Sequence, residues 1–341
     1  MKQQQQQQQL PGLDLQALAD WLPGAVEGAG TDLGATLIAG GKSNLTYALS
    51  DGDKEWILRR PPLGHVLATA HDMAREYRII SALADTGVPV PRAYAFCEDQ
   101  QVLGAPFYLM ERVEGTPYRR ADELNALGPE RTRAISERLV DVLVTPHSVD
   151  PQQIGLDDFG RPDGYLERQV HRWKKRLDAS FTRELPAADE LHRQLAAAVP
   201  PQSRSGIVHG DFRLDNILVD AADRPRAVLD WEMATLGDPL CDLALMLTYH
   251  RLGSAAVTDV ANAEGFSSEA QIIERYAARG DRDLSSFGFY LGLAAYKLAA
   301  IVEGIHYRHV HGQTVGAGFD NIGESIHPLL QAGLDALKGG N

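Results

Sequence analysis

Alternating and helically spaced apolar residues divide the chain into an N-terminal part rich in strands and a C-terminal part rich in helices. Apolar positions at 33–39, 45–49 and 56–58 follow one another closely, and the connectors between them carry the glycine and aspartate typical of hairpins. This pattern predicts an antiparallel meander of three strands. Helical spacing over 13–22 predicts a helix before the meander, ending ahead of Pro23.

A helix and two more strands complete the predicted N-terminal lobe. Apolar residues recur with helical spacing across 69–85, with charged residues between them. Strands are predicted at 93–97 and 107–111. We therefore expect residues 13–113 to form a small lobe in which, after the helix over 13–22, the order is three strands, one helix and two strands. The residues before it, 1–12, contain seven consecutive glutamines and are predicted to be a disordered tail.

Residues 114–341 show a mainly helical pattern and predict a larger second lobe. Helices are expected at 129–145, 163–179, 187–198, 238–251, 268–279, 283–305 and 320–337. A strand-like stretch over 206–229 interrupts them. The most apolar stretch, 291–302, contains Lys297 and is shorter than a bilayer span requires, so no membrane segment is expected. The pattern as a whole predicts a two-lobed α+β protein.

Charge and cysteine content exclude several classes of protein. The 341 residues include 46 Asp and Glu against 33 Lys and Arg, a net charge of −13. A nucleic-acid-binding protein would need a basic face, so nucleic acid is not expected as a partner. The two cysteines exclude a disulfide scaffold and favour a reducing, cytoplasmic compartment.

The strand-like stretch carries the residues that indicate chemistry. Asp211 lies in a polar segment between two apolar runs, Asn216 follows five residues later, and Asp230 ends the next apolar run. Each residue alone is typical of a turn. Together they match the needs of phosphoryl transfer from a metal-bound nucleotide, which requires a base for the acceptor hydroxyl and oxygen ligands for Mg²⁺. This spacing predicts Asp211 as the catalytic base, with Asn216 and Asp230 as metal ligands.

Longer motifs around these residues resemble a known family. They are His-Gly-Asp at 209–211 with its following Asn216, Asp-Trp-Glu at 230–232, and Gly-Asp-Pro-Leu-Cys-Asp-Leu-Ala at 237–244. Over residues 33–310 the chain resembles the aminoglycoside phosphotransferase/choline kinase-like branch of the protein-kinase fold. It is most similar to the phosphotransferase domains related to those fused to acyl-CoA dehydrogenases. The resemblance implies a protein kinase-like two-lobed fold and an ATP-dependent kinase of small molecules.

The kinase-like fold implies a cation on the third strand that contacts the nucleotide phosphates and pairs with a helix carboxylate. Arg59 and Glu76 match these catalytic positions, with Arg in place of the usual Lys. A shift of one residue in strand register would present Arg60 instead. The competing interpretation of Glu76 is a surface charge between Arg75 and Arg78.

A glycine-rich segment is the predicted contact for the nucleotide phosphates. Gly40, Gly41, Ser43 and Asn44 lie in the first hairpin, where glycines allow backbone N–H groups to approach phosphate oxygens. A Walker A loop is the alternative, but it requires a glycine where Thr36 stands and a helix where a strand is predicted. The hairpin interpretation is therefore favoured.

The resemblance also implies an adenine site at the end of the fifth strand. It assigns Met110 to the space behind the base, and the Glu111 carbonyl and Val113 amide to its polar edge. The implied cofactors are ATP, with GTP as the alternative nucleotide, and Mg²⁺. By the same resemblance Asp242 braces the catalytic loop, and Glu232 is an auxiliary metal ligand.

The acceptor is expected to be a small molecule with a hydroxyl group. Aromatic and basic residues of the second lobe suit an anionic acceptor such as a hydroxyacyl compound; they are Trp173, Lys174, Arg176, Tyr249, His250, Arg251, Lys297, Tyr307 and Arg308. An aminoglycoside 3′-type antibiotic kinase is one alternative. A nucleotide-binding pseudokinase regulator, suggested by Arg59, is the other. The sequence leaves monomer and homodimer equally open.

Overall fold

The computed structural model describes residues 10–38, 44–64, 71–201, 204–252, 258–314 and 321–339. Contacts divide the chain into two compact units: unit 1 is Met1–Glu114 with Arg226–Glu232, and unit 2 is Gly115–Pro225 with Met233–Asn341.

The boundary after Glu114 lies one residue beyond the division expected from the sequence. The sequence assigned 226–232 to the C-terminal lobe, whereas the structure places this segment in unit 1. The reason is local bonding, because the Val228 amide donates to the Pro89 carbonyl over 2.7 Å and Asp230 pairs with Arg59.

Unit 1 is built on an antiparallel sheet with strand order β1-β2-β3-β5-β4. The strands are β1 Gly34–Leu37, β2 Leu45–Ser50, β3 Glu55–Arg60, β4 Ala93–Cys97 and β5 Phe107–Glu111. The turn between β2 and β3 forms because Asp51 Oδ1 accepts hydrogen bonds from the amides of Asp53 and Lys54. All five predicted strands are confirmed.

Three helices accompany the sheet: α1 Leu15–Ala25, α2 Met73–Leu83 and α3 Gln100–Leu103. Side chains of Asp14 and Asp72 cap the first turns of α1 and α2. The prediction that α1 ends before Pro23 is wrong, since the helix continues through it. Proline here removes only one hydrogen bond in the last turn, while burial of Leu18 and Leu22 fixes the helix.

Alternation along β3 gives its two faces different neighbours. Leu58 belongs to the core cluster that also contains Leu18 and Leu22 of α1, whereas Arg59, one position later, forms an ion pair with Glu76 of α2. Successive side chains point to opposite faces. Arg60 therefore returns to the first face, where its guanidinium donates to the carbonyls of Gly12 and Leu103.

Unit 2 is mainly helical. Its helices are α4 Ala121–Asn125, α5 Pro129–Ser148, α6 Tyr165–Asp178, α7 Pro186–Ala197, α8 Leu240–Leu252, α9 Glu269–Arg279, α10 Phe287–Val310 and α11 Ile326–Lys338. The predicted helices are confirmed with shifted ends, and α4 was not predicted. The first residues of the last predicted helix are instead a 3₁₀ turn, Ile322–Ser325.

Short strands bracket the segment that carries Asp211. They are β6 Gly206–Val208, β7 Ile217–Val219, β8 Pro225–Val228 and β9 Thr235–Gly237. β6 pairs with β9 in antiparallel register, and Thr116 forms a bridge to Val219. The loop between β6 and β7 is thus held at both ends by backbone hydrogen bonds.

Helix α10 forms the centre of unit 2. It packs against α6, α7, α8 and α11. With 24 residues it extends beyond the apolar stretch noted in the sequence, and among the described residues it is the one helix long and apolar enough to cross a membrane. Since 72% of its apolar window is buried within the structure, we interpret it as a core helix.

Candidate active site

The main chain before Asp211 is fixed by a buried carboxylate. Asp242, in the first turn of α8, accepts hydrogen bonds from the amides of His209 (2.6 Å) and Gly210 (2.8 Å). The Asp242 side chain is fully buried, and Nε2 of His147, on α5, lies 3.3 Å from Asp242 Oδ2, the oxygen that also accepts from the His209 amide. Asp242 therefore holds the loop 209–216, as the resemblance implied.

Hydrogen bonding determines the charge state of this anchor. Burial raises the pKa of Asp242, but hydrogen bonds from His147 and from the Gly210 amide outweigh burial and hold that pKa below its ordinary value. Burial lowers the pKa of His147. A neutral His147 can donate from Nε2 to Asp242 and accept from the Tyr276 hydroxyl at Nδ1 over 2.8 Å.

Asp211 and Asn216 are brought together by the 3₁₀ turn Leu214–Asn216. The side-chain nitrogen of Asn216 donates to the Asp211 carbonyl over 2.8 Å. The Asp211 side chain is 30% exposed, although its backbone amide donates to His209 Nδ1 over 3.3 Å. The loop therefore immobilises the backbone of Asp211 and leaves its carboxylate accessible.

Three residues surround Asp211: Arg213 and Asp215, which sequence reasoning left without a role, and Tyr249, which it assigned to the acceptor pocket. Arg213 Nε lies 3.8 Å from Asp211 Oδ1, and its guanidinium forms a 2.7 Å ion pair with Asp215. That guanidinium also lies 4.9 Å above the ring of Tyr249. Burial and the nearby Asp211 charge raise the pKa of Tyr249, and the Tyr249 hydroxyl is hydrogen-bonded to Asp211. Only tertiary structure brings Tyr249 to this loop.

Arg59, Glu76 and Asp230 form a second cluster, which lies within unit 1. Arg59 is 3.3 Å from Glu76 and 3.0 Å from Asp230. Burial disfavours the charge on Arg59, but these two carboxylates more than offset it and raise its pKa. Glu76 is 1% exposed, so its interpretation as a surface charge is wrong. Arg59 rather than Arg60 occupies the position between the two carboxylates.

The turn at Asp230 holds its backbone in an uncommon conformation. Asp230 has φ of +65°, a left-handed conformation that few residues other than glycine adopt. The neighbouring Trp231 is buried, and its indole donates to the Val228 carbonyl over 2.9 Å. This anchored turn directs the Asp230 carboxylate toward Arg59.

The side chain of Asn44 contacts the Asp-Trp-Glu motif at 230–232. Its side-chain nitrogen donates to Glu232 over 3.0 Å, and its oxygen lies 2.9 Å from His71 Nδ1. The other predicted phosphate contacts, Gly40, Gly41 and Ser43, lie outside the described residues.

The residues assigned to adenine remain a prediction. Met110 is buried in β5, and Glu111 ends that strand with its carboxylate accepting from the Arg92 amide over 3.1 Å. Val113 follows in the irregular segment before the unit boundary.

The oxygen donors at the two proposed metal ligands fit Mg²⁺, which prefers carboxylates and other hard oxygens. Asn216 engages the Asp211 carbonyl through its nitrogen, so the amide oxygen is directed away from that carbonyl. Asp230 uses Oδ1 for Arg59, and its side chain is 32% exposed. In the described part of the chain, no group of three or more His, Cys, Asp or Glu side chains is arranged to hold a metal.

Comparison with known proteins agrees with this geometry. The sequence profile of the phosphotransferase enzyme family (APH) matches residues 34–278. The chain belongs to this family. The predicted enzyme class, a phosphotransferase, is thereby confirmed.

Two of the similar proteins are acyl-CoA dehydrogenase family members. Acyl-CoA dehydrogenase family member 10 of Mus musculus is 36% identical over 86% of this chain and 28% of its own length. Human acyl-CoA dehydrogenase family member 11 is 33% identical over 95% of this chain and 43% of its own length. The chain thus spans less than half of these relatives.

Solved structures confirm the protein kinase-like fold. A Ralstonia eutropha protein, described as a candidate aminoglycoside phosphotransferase, superimposes with a TM-score of 0.84 at 33% identity, covering 96% of this chain and 98% of its own. Aminoglycoside phosphotransferase APH(4)-Ia, in a complex with AMP-PNP and hygromycin B, gives a TM-score of 0.59 at 16% identity, covering 94% of this chain and 98% of its own. The second likeness concerns the fold alone.

Proposed function

We propose that this phosphotransferase is an ATP-dependent kinase that transfers the γ-phosphate to the hydroxyl group of a small hydroxyacyl-type metabolite. The observation that carries the proposal is the loop around Asp211, whose backbone is fixed by Asp242 and Asn216 while its carboxylate is 30% exposed. Such a carboxylate can accept a hydrogen bond from an acceptor hydroxyl.

Asp211 would orient the acceptor hydroxyl and take its proton as the bond to phosphorus forms. Asn216 holds the Asp211 carbonyl, which keeps the carboxylate at a constant position in the loop. The Tyr249 hydroxyl donates to Asp211 and so helps to fix the direction of its carboxylate. Fixed geometry of this kind is the main contribution a protein makes to phosphoryl transfer.

Arg59 would hold the nucleotide phosphates, with Glu76 fixing its guanidinium. The Glu76 contact at 3.3 Å, from a fully buried carboxylate, supports this positioning. Asn216 and Asp230 are the proposed magnesium ligands on the basis of their spacing and oxygen donors. Bound Mg²⁺ would supply the positive charge that neutralises the transferring phosphate.

The hydroxyacyl assignment rests on the cations of unit 2 and on the relatives. Arg172 and Arg176 lie 5.8 and 5.1 Å from the ring of Trp173, and this concentration of positive charge favours an anionic acceptor over a polycation. Several relatives are acyl-CoA dehydrogenase family members. A phosphotransferase related to them is expected to act on an acyl compound that carries a hydroxyl group.

Aminoglycoside phosphorylation is the second candidate. It is favoured by the Ralstonia eutropha structure, which is described as a candidate aminoglycoside phosphotransferase. The cations near Trp173 argue against it, because a polycationic drug would be repelled there.

A panel of acceptors tests the proposal. Purified protein is incubated with Mg²⁺ and either ATP or GTP, together with hydroxyacyl thioesters, hydroxy acids, amino alcohols or aminoglycosides, and phosphoester products are measured by mass spectrometry. We expect product from hydroxyacyl compounds and none from the Asp211→Asn variant. Product from aminoglycosides alone would select the second candidate. Nucleotide binding without any product would contradict both and favour a pseudokinase.

A further inference from the structure

The peptide group that joins Gly210 to Asp211 has a contact that the proposed mechanism does not use. Lys297, in the middle of α10, donates from Nζ to the Gly210 carbonyl over 2.9 Å. The nitrogen of the same peptide, the Asp211 amide, donates to His209 Nδ1 over 3.3 Å. Both polar atoms of the peptide immediately before the Asp211 side chain are therefore bonded.

The backbone at position 210 requires glycine. Gly210 has φ of +89°, and a Cβ at this position would lie 2.8 Å from Met233 Cβ and 2.9 Å from the Met233 carbonyl. The Gly210 amide is held separately by Asp242. Asp242 bonds the Gly210 amide and Lys297 bonds the Gly210 carbonyl, so the two contacts restrain consecutive peptide groups, and Lys297 restrains the oxygen next to Asp211.

The surroundings of Lys297 are built to keep its ammonium at this oxygen. Its Nζ lies 5.5 Å from the centre of the Trp173 ring. Charged and titratable groups face it from the loop (Asp211), from α8 (Cys241 and Asp242) and from α6 (Arg172). Burial lowers the pKa of Lys297, while the charges of Asp211 and Asp242 oppose this shift.

The space beside the lysine is too small for an acceptor. The adjoining cavity has a volume of about 30 Å³ and is lined by Tyr165, Gln169, Trp173, Cys241, Tyr290 and Lys297, among others. That volume holds about two water molecules. The ammonium is therefore directed to the Gly210 carbonyl rather than to a ligand of metabolite size.

We propose that Lys297 is a positioning residue for phosphoryl transfer, which sets the direction of the Asp211 carboxylate through a charge-assisted hydrogen bond to the Gly210 carbonyl. This inference rests on the proposed function, in which Asp211 orients the acceptor hydroxyl. A positioning residue of this kind affects the rate of the chemical step and leaves nucleotide binding unchanged.

Substitution of Lys297 by methionine, glutamine and arginine tests the inference. Methionine removes the donor at similar length, glutamine retains a neutral donor, and arginine retains a charged one. For Lys297→Met we expect a fall in kcat of about 30-fold with KM for ATP within about twofold of the wild type. Lys297→Arg should recover most of the loss, and Lys297→Gln should be intermediate. Lys338→Met, an exposed lysine of α11, is the matched control.

The pattern of kinetic constants separates this inference from the proposed function. Wild-type kcat in Lys297→Met beside an inactive Asp211→Asn would overturn the positioning role and leave the kinase proposal intact. Loss confined to KM would also overturn it, because Lys297 would then be a binding residue. Full activity in Asp211→Asn would instead refute the proposed function.

The arginine and glutamine variants keep the test decisive if Lys297→Met does not fold. Higher kcat in Lys297→Arg than in Lys297→Gln, at equal KM, supports positioning by a charged donor. Equal kcat in these two variants and the wild type would overturn it.

Discussion

Buried charged groups bond to different partners in two regions of the molecule. One region is the loop 209–216 in unit 2. The other is the Arg59 cluster in unit 1, formed by Arg59, Glu76 and Asp230. In the loop, the buried carboxylate of Asp242 is bonded to backbone amides, and the side chain with the proposed chemistry remains partly exposed. In the cluster, the side chains with proposed roles are paired with one another, and Glu76 is almost fully buried.

This difference predicts which substitutions change the rate of the reaction and which change the stability of the fold. Removal of an exposed side chain from a loop held by other residues should change the reaction and leave folding intact. Removal of one member of a buried ion pair leaves its partner uncompensated, which is strongly destabilising. The same kind of substitution should therefore give different results in the two regions.

The largest effect is expected for Asp211→Asn. The amide retains the size of the side chain but cannot accept a proton, so the rate of phosphoryl transfer should fall by about 10³-fold. Initial rates and the melting temperature are measured together, and the melting temperature should stay close to that of the wild type. Asp335→Asn, an exposed carboxylate of α11, is the control. A large fall in melting temperature would contradict the separation of chemistry from folding.

For the Arg59 cluster, Arg59→Met should lower the free energy of unfolding by about 3 kcal/mol, because Glu76 is left buried without its cation. Urea unfolding provides the measurement. The exposed pair of Arg193 and Glu190 offers a matched control, in which Arg193→Met should have little effect.

A double variant sharpens the same comparison. Adding Glu76→Gln to Arg59→Met removes the unpaired carboxylate, so the double variant should be more stable than Arg59→Met alone. If Arg59→Met were no more destabilising than Arg193→Met, the cluster would not depend on compensation of buried charge.

The fold was predictable wherever an element is long enough to show its own period. The strands of unit 1 and the long helices of unit 2 follow the apolar pattern closely. Helix α4 and strand β9, with five and three residues, are too short to show a period. β9 exists because β6 pairs with it across the loop, and that pairing is not encoded locally.

The arrangement of the candidate site was predictable where a motif or the family resemblance indicated which residues lie together, and the roles of these residues stay predictions. Asp211, Asn216, Arg59 and Glu76 lie in the local arrangements that their motifs indicated. The contact of Lys297 with Gly210 was not predictable, because 87 residues separate the two and neither belongs to a common motif. Such contacts arise from helix packing, which the order of residues does not display.

A smaller effect is expected from protonation of His147, whose ring is buried beside Asp242 in unit 2. Its pKa in the folded protein lies below the ordinary value of 6.5, so the folded state binds fewer protons than the unfolded state in acid. The resulting stability is present above pH 6.5 and is lost as the pH falls toward the folded pKa. We expect the free energy of unfolding to be lower at pH 5.5 than at pH 7, by at most about 1 kcal/mol.

Urea unfolding at the two pH values measures this dependence. His147→Gln, which cannot take up a proton, should reduce it, whereas His311→Gln, at an exposed position, should not. An unchanged dependence in His147→Gln would mean that the support of the loop is insensitive to this proton.

The smallest effect is expected for Asn44→Ala in unit 1. Loss of the 3.0 Å hydrogen bond from Asn44 removes one of the contacts that position Glu232, the proposed auxiliary metal ligand. The Mg²⁺ concentration for half-maximal activity should rise about fivefold, which corresponds to about 1 kcal/mol for one hydrogen bond to a carboxylate. Magnesium titration of the initial rate is the measurement.

Asn125→Ala, which loses a 2.8 Å bond to the Glu264 amide, should leave the titration unchanged. Because Glu232 itself remains in place, kcat at saturating Mg²⁺ should stay within about twofold of the wild type; a fall in kcat alone would assign Asn44 to the phosphates instead.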